Sequence, residues 1–245
     1  MSLVEIDEDI PITYSVNIQH APEAVVLENR AVEQPEFVFL EKPMYDFAKR
    51  LFDIVCSLAA LIVLSPLFLA VSILIRIDAG GPLIYSQQRV GKGGRLIKVH
   101  KFRTMKVNAD KLEDMLTPEQ LTEYKKDFKL DNDPRVTCVG KILRMTSLDE
   151  IPQFWDVLLG RMSIIGPRPV LMEETFLFEP YRDMLLNVKP GISGFWQVNG
   201  RSGVTYENFS RQTLELYYIT HRSLLLDLKI LFKTFGALAR KTGAK

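Results

Sequence analysis

Residues 54–75 read IVCSLAALIVLSPLFLAVSILI, 22 consecutive positions without a charged side chain. At ~1.5 Å per residue a helix of that length reaches about 33 Å, enough to cross the hydrocarbon of a bilayer. A buried core helix is the bland alternative, but soluble helices of this length keep a polar face. The run begins too deep in the chain for a signal peptide, and no small-residue cleavage site follows it. Ser65-Pro66 lies near its middle. Proline there removes a backbone hydrogen bond and clashes with the preceding turn, which predicts a kink. Lys49 and Arg50 precede the run and Arg76 follows it. From Arg76 to Lys106 there are eight Lys/Arg against one acid, Asp78, so the C-terminal side reads as cytosolic. The N-terminal flank is basic too. A kinked helix that enters and returns on one face fits both flanks, and composition alone leaves re-entry and spanning open.

Outward from this run the chain is uneven. Its 245 residues allow one domain, or one domain plus an appendage. With 47% hydrophobic and 25% charged residues it is neither disordered in bulk nor fibrous. Cys56 and Cys138 cannot build a disulfide framework or a Cys-rich zinc site, and His20, His100 and His221 show no metal spacing. The net charge of +1 hides an asymmetry: residues 1–44 carry nine acids against Arg30 and Lys42, a net of −7, which leaves +8 for the rest. Scattered prolines and the absence of a period mark 1–44 as a mostly extended acidic tail, with one strand expected at Glu36–Leu40. The expected divisions after the tail are residues 45–76, around the apolar run, and 77–245, the domain that follows it.

Within that domain, LIYSQQRV and RLIKVHKFRTM flank Gly91-Lys92-Gly93-Gly94 and predict a hairpin. The glycine turn lacks the ending of a P-loop. Thr117-Pro118-Glu119 predicts a helix start. Ile151, Phe154, Trp155, Leu158 and Leu159 follow helical spacing up to Gly160. Residues 190–201, PGISGFWQVNGR, have turn composition, and a helix is expected from Tyr206. Residues 224–235, LLLDLKILFKTF, suit a membrane surface or a core.

Three motifs could carry chemistry. Ser147-Leu148-Asp149-Glu150 reads as a capping box, serine capping and glutamate reaching back. It also reads as a carboxylate pair at a helix start, one a nucleophile and metal ligand, the other a base. Pro152, placed just inside that helix, is a local misfit of the sort tolerated at sites. Arg144 and Arg161 flank the pair, and Pro167-Arg168-Pro169 fixes a third arginine on stiff backbone, where a guanidinium fork suits phosphate. Asp131-Asn132-Asp133 could be a metal-binding DxD of a glycosyltransferase, but three polar residues before a proline more often make a turn.

Taken in order, the motifs resemble the bacterial sugar transferases, the monotopic polyprenyl-phosphate phosphoglycosyl transferases. The resemblance runs from about Tyr45 to Lys245. It rests on Lys49-Arg50-Leu51-Phe52-Asp53, Ser65-Pro66, Lys101-Phe102-Arg103-Thr104-Met105, Ser147-Leu148-Asp149-Glu150, Gly166-Pro167-Arg168-Pro169, and Pro190-Gly191-Ile192-Ser193-Gly194 running into Gln197-Val198-Asn199-Gly200-Arg201. The resemblance implies a helix-rich α+β fold on a bacterial inner membrane, at its cytoplasmic face. One kinked re-entrant helix, bent at Ser65 and Pro66, interfacial amphipathic helices and a small catalytic domain with a short hairpin would compose it. It implies transfer of a sugar 1-phosphate from a UDP-sugar to undecaprenyl phosphate, the first membrane step of exopolysaccharide, lipopolysaccharide or capsule assembly. Asp149 would be the nucleophile and ligand of Mg2+, forming a covalent phosphosugar, with Glu150 its partner. Arg144, Arg168, Asn199 and Arg201 would contact phosphate or nucleotide, and Lys101 and Arg103 the lipid phosphate or headgroups. The expected partners are undecaprenyl phosphate, UDP-sugar and membrane lipids, with no nucleic acid; a homodimer is left open. Larger members carry a multi-span N-terminal region, and this chain shows one apolar run. Two rivals stand beside this reading: a membrane-attached glycosyltransferase using Asp131 and Asp133, and a scaffold in which Ser147–Glu150 only caps a helix.

Overall fold

The computed structural model describes residues 37–109, 111–127, 130, 133–199, 206 and 209–239. The apolar run is divided between two helices, α1 (Pro43–Val63) and α2 (Ser65–Ala79), bent by 60° at Leu64. The bend follows from two adjacent residues. Pro66 has no N–H to give the carbonyl of Ile62, and the Ser65 hydroxyl donates to that carbonyl instead, at 2.7 Å. Among the described residues no single helix is long and apolar enough to cross a membrane, whereas the bent pair together has the length and composition.

After α2 come the strands β1 (Ile84–Val90) and β2 (Leu96–Phe102), which pair antiparallel from Ile84–Phe102 to Val90–Leu96 around the glycine turn. The short helix α3 (Leu112–Met115) and α4 (Pro118–Asp127) follow. Thr117 and Gln120 cap α4 reciprocally: the Gln120 N–H donates to the threonine hydroxyl at 3.3 Å, and the Thr117 N–H to the glutamine carbonyl at 3.1 Å. Next are α5 (Cys138–Thr146), a 3-10 turn over Leu148–Glu150, α6 (Gln153–Leu158) and β3 (Ser163–Ile165). The chain ends with α7 (Met172–Thr175), α8 (Arg182–Leu186), β4 (Gly191–Ser193), α9 (Phe195–Asn199), α10 (Ser210–His221) and α11 (Leu224–Ala239). The architecture is the expected helix-rich α+β with a short hairpin.

Four expectations are corrected. Residues 37–40 form no strand; instead Phe37 packs edge-on to Tyr181, and Arg222 stacks on Phe39 and donates to the Leu40 carbonyl at 2.7 Å. The turn-like stretch at 190–201 holds β4 and α9, and β4 pairs in parallel with β3. That pair needs glycine on both sides: a Cβ on Gly191 would overlap the Gly166 amide, and one on Gly166 the Lys189 carbonyl. Lys49 and Arg50, which read as flanking charges, are committed inside the fold. Lys49 is buried between Asp53 and Asp227, at 3.2 and 3.5 Å, and Arg50 donates to the carbonyls of Val157 and Leu158 at 2.7 and 2.9 Å. Pro152 is the N-cap of α6, where a missing N–H costs no bond, so it is no misfit.

Two apolar clusters hold the molecule. The larger packs Val157, Met162, Ile165, Phe178, Leu216, Ile219 and Ile230 around the β3–β4 pair. The smaller joins Val71 and Ile75 of α2 to Phe102, Leu143 and Ile151. At ~1.5–3 kcal/mol per buried large apolar side chain, the smaller cluster is enough to fix α2 against the hairpin and α5. By contrast Phe47, Leu51, Val55 and Ile62 of α1, Leu69, Ile73 and Ile77 of α2, and Leu225, Phe232 and Phe235 of α11 lie exposed.

Candidate active site

The Ser147 side chain makes no N-cap. The residue takes the left-handed conformation, φ 57°, closing α5 with its own N–H on the carbonyl of Arg144. The chain then makes one 3-10 turn, and Asp149 and Glu150 sit on it. The capping-box reading therefore fails.

The turn faces the end of β2. Lys101 Nζ lies 2.6 Å from Glu150 Oε1 and 3.8 Å from Asp149 Oδ2. Arg144, on the last turn of α5, is held by its Nε on the Thr104 hydroxyl at 2.9 Å and acts electrostatically on Asp149. Thr104 itself is fixed: its carbonyl accepts the Thr137 N–H at 3.0 Å, and the Thr137 side chain caps α5 by accepting from Gly140 at 3.0 Å. Gly140 is required there, because a Cβ would overlap the Thr104 carbonyl. At the other end Asp156, fully buried on α6, accepts from the His100 amide at 2.9 Å and pairs with the His100 ring at 2.7 Å. Asp156 was not singled out by the sequence, since its role appears only when α6 meets β2. It fixes the strand that carries Lys101.

Asp149 is 8% exposed, and burial pushes its carboxyl up to about 6, with Glu150 pushing the same way and Lys101 and Arg144 opposing. Near neutral pH it is thus ionised and weakly solvated, the condition of an activated carboxylate nucleophile. Lys101→Met removes the opposing ammonium, so Asp149 rises further. A reaction that needs the ionised carboxylate then loses its acid limb at higher pH, with a drop of roughly tenfold at pH 6. A pH–rate profile of variant and parent checks it, and superimposable acid limbs contradict it.

The other expected residues lie elsewhere. Arg103 donates from Nε to the Pro82 carbonyl at 2.7 Å, at the base of the hairpin. Arg168 is exposed; its backbone N–H donates to buried Glu215 at 3.0 Å and its guanidinium lies 6.0 Å from the Trp196 ring. It belongs to a second basic cluster with Arg89, paired to Glu174 at 3.2 Å, and Arg211, sandwiched by Trp196 and Tyr206 at 4.6 and 4.1 Å. Arg89 and Arg211 are both lowered, chiefly by burial. Asn199 donates to the Phe195 carbonyl and accepts from Lys233, both at 3.0 Å. Arg201 lies outside the described residues. Asp133 chelates Arg135 through both oxygens, at 2.7 and 2.8 Å, which commits it to a turn rather than a metal; Asp131 and Asn132 lie outside the described residues.

The arrangement, a buried aspartate between a lysine and an arginine, suits attack on a phosphorus centre. Residues 44–241 match the family described as Bacterial sugar transferase. The chain is 44% identical over 208 residues, 84% of its length, to the undecaprenyl-phosphate galactose phosphotransferase of Salmonella typhimurium, and spans 43% of that protein. It is 41% identical over 206 residues to the exopolysaccharide production protein ExoY of Sinorhizobium fredii, covering 83% of this chain and 90% of that one. Over 195 residues, 76% of this chain, it is 42% identical to a UDP-glucose:undecaprenyl-phosphate glucose-1-phosphate transferase of Klebsiella pneumoniae, spanning 39% of it.

Proposed function

Because this chain belongs to the bacterial sugar transferase family, we propose that it transfers a sugar 1-phosphate from a UDP-sugar to undecaprenyl phosphate, releasing UMP. The observation that carries the reading is the buried Asp149 with Lys101 and Arg144 beside it. An Asp149 oxygen attacks the phosphorus that bears the sugar, the bond to the UMP phosphate breaks, and UMP leaves with the electron pair. A phosphate oxygen of the lipid then attacks the same phosphorus and frees the carboxylate. Lys101, drawn between the two carboxylates, and Arg144 hold phosphate charge through both steps. Glu150, bound to Lys101, is the partner of Asp149 and helps to activate the lipid phosphate. Arg168, an exposed residue beside Trp196, would meet a nucleotide phosphate.

The donor set suits a magnesium ion shared with substrate. Asp149, with Glu150 adjacent, offers carboxylate oxygens, and Mg2+ commonly takes one or two of these and completes its shell with phosphate and water. Among the described residues no group of three His, Cys, Asp or Glu could cage a metal, so Asp149 and Glu150 would hold the ion only together with substrate. When bound, the ion would screen the negative charge of the diphosphate.

The exposed apolar residues of α1, α2 and α11 would bury in the cytoplasmic leaflet of the inner membrane, α1 and α2 entering and returning on one face. The reading requires the dyad at headgroup depth, where the lipid phosphate lies. Cysteines placed at position 1 and position 245 are then labelled from the same side; labelling from opposite sides overturns re-entry.

The deciding experiment gives detergent-solubilised protein undecaprenyl phosphate, magnesium and a panel of UDP-sugars. UMP released beyond one equivalent per protein only when the lipid phosphate is present establishes the reaction and names the sugar. UDP release, or none with any donor, overturns the reading.

A further inference from the structure

We infer that Glu215 is the residue that positions Arg168 for the phosphates of the nucleotide sugar. The inference rests on the donor assigned under the proposed function. In Pro167-Arg168-Pro169 neither proline carries a backbone N–H, so the Arg168 amide is the one hydrogen that the backbone of the tripeptide can donate. Glu215, in the middle of α10, takes it: its Oε1 accepts that N–H at 3.0 Å. The shoulders of the loop are fixed as well, the Pro167 carbonyl accepting the Gly191 N–H at 2.7 Å and the Val170 carbonyl the Val90 N–H at 2.9 Å. The exposed Arg168 side chain thus springs from a backbone gripped at its own amide and on both sides.

Glu215 is 1% exposed, and its second oxygen, Oε2, is buried with no hydrogen-bond partner among the described residues. An acid so buried and so sparsely bonded costs the fold more than a well-packed apolar side chain would. What it supplies, and an apolar residue cannot, is an acceptor. Burial raises its carboxyl to about 7, the Arg168 amide and the charges of Arg211 and Arg168 opposing. A carboxyl oxygen accepts the Arg168 N–H in either protonation state, so the grip does not depend on the charge. The same helix carries Arg211 one turn earlier, and the two guanidiniums share one ring, lying 4.6 Å from Trp196 for Arg211 and 6.0 Å for Arg168. Arg211 is set by its two aromatic neighbours, and Arg168 takes its place from Glu215. Both guanidiniums are thereby referred to α10, which suits a ligand with two linked phosphates.

The test is donor binding by the Asp149→Asn protein, which does not turn over, read by isothermal titration of the detergent-solubilised full chain with magnesium and the panel of UDP-sugars. In that background Glu215→Met fills the space without an oxygen and raises the donor Kd about tenfold, the size of one lost positioning bond. Its melting temperature stays near the parent's, since a buried acid has given way to an apolar side chain. Glu215→Gln keeps the acceptor and keeps the parent Kd. Glu215→Asp keeps the charge but draws the oxygen back by a methylene; it raises the Kd as Glu215→Met does, and decides the matter should Glu215→Met not fold. Arg168→Ala costs about tenfold, and Glu215→Met adds nothing to it, because Glu215 acts through Arg168. The parent Kd in Glu215→Met, a Glu215→Gln protein as weak as Glu215→Met, or additive losses in the double variant overturn the inference. An Asp149→Asn protein that binds no UDP-sugar at all removes the donor assignment itself, and the inference with it.

Discussion

An Asp149→Asn protein releases no UMP from any donor, with turnover reduced by about four orders of magnitude or more, as expected when a covalent nucleophile is lost. Folding is not the reason. The Asp149 carboxyl is raised to about 6 from 3.8 by burial, so the folded state holds its proton more tightly than the unfolded one. Its favourable contribution is complete below pH 3.8 and is lost as pH rises through about 6. Above pH 6 the parent therefore carries a buried charge that asparagine lacks, a penalty of up to about 3 kcal/mol. The variant melts at or above the parent temperature at pH 8, and the difference closes by pH 4. Inactivity with a melting point lowered at pH 8 would mean that Asp149 is structural. This is the usual trade at a site, where a group kept for chemistry costs stability.

Asp53→Ala has the largest expected effect on the fold. Asp53 is 2% exposed and accepts from Lys49 Nζ at 3.2 Å, the Ser163 hydroxyl at 3.1 Å and the Ile164 amide at 3.1 Å. It joins α1 to β3. Removal leaves a buried amide without its acceptor and Lys49 with Asp227 alone, a loss of about 3–5 kcal/mol. For a chain of this size that is a fall of roughly 10 °C in melting temperature. Asp53→Asn keeps the acceptor oxygen and loses only the charge, so it costs less. Thermal melts of both in detergent check the order; equal and small effects would show that the buried charge is idle.

What the sequence made legible was local. The bend is the work of Ser65 and Pro66, the hairpin of the glycine turn, and α6 of the spacing from Ile151. What it hid were contacts between distant segments. Lys49 looked like a flanking charge because its partner Asp227 lies far along the chain. The β3–β4 pair was invisible because each strand has three residues, too few for a period, and the glycines that let the backbones approach read as turn residues. Ser147-Leu148-Asp149-Glu150 had the letters of a capping box, but α5 ends at Ser147 and the chain tightens into a 3-10 turn before α6 starts. The dyad with Lys101 and Arg144 was on the page as separate motifs; that Lys101 bonds to Glu150 required the register of β2. Arg89, Arg211 and Glu174 carried no motif, and only the fold gathers them near Arg168.

The bend between α1 and α2 has one more consequence. A broken helix normally exposes carbonyls, and each carbonyl without a partner draws hydration or costs several kcal/mol in hydrocarbon. Here the carbonyl that Pro66 cannot serve is closed by the neighbouring hydroxyl, within the same turn. That carbonyl is satisfied from within the chain, so the proline leaves it needing neither water nor a polar neighbour, whatever medium surrounds the bend.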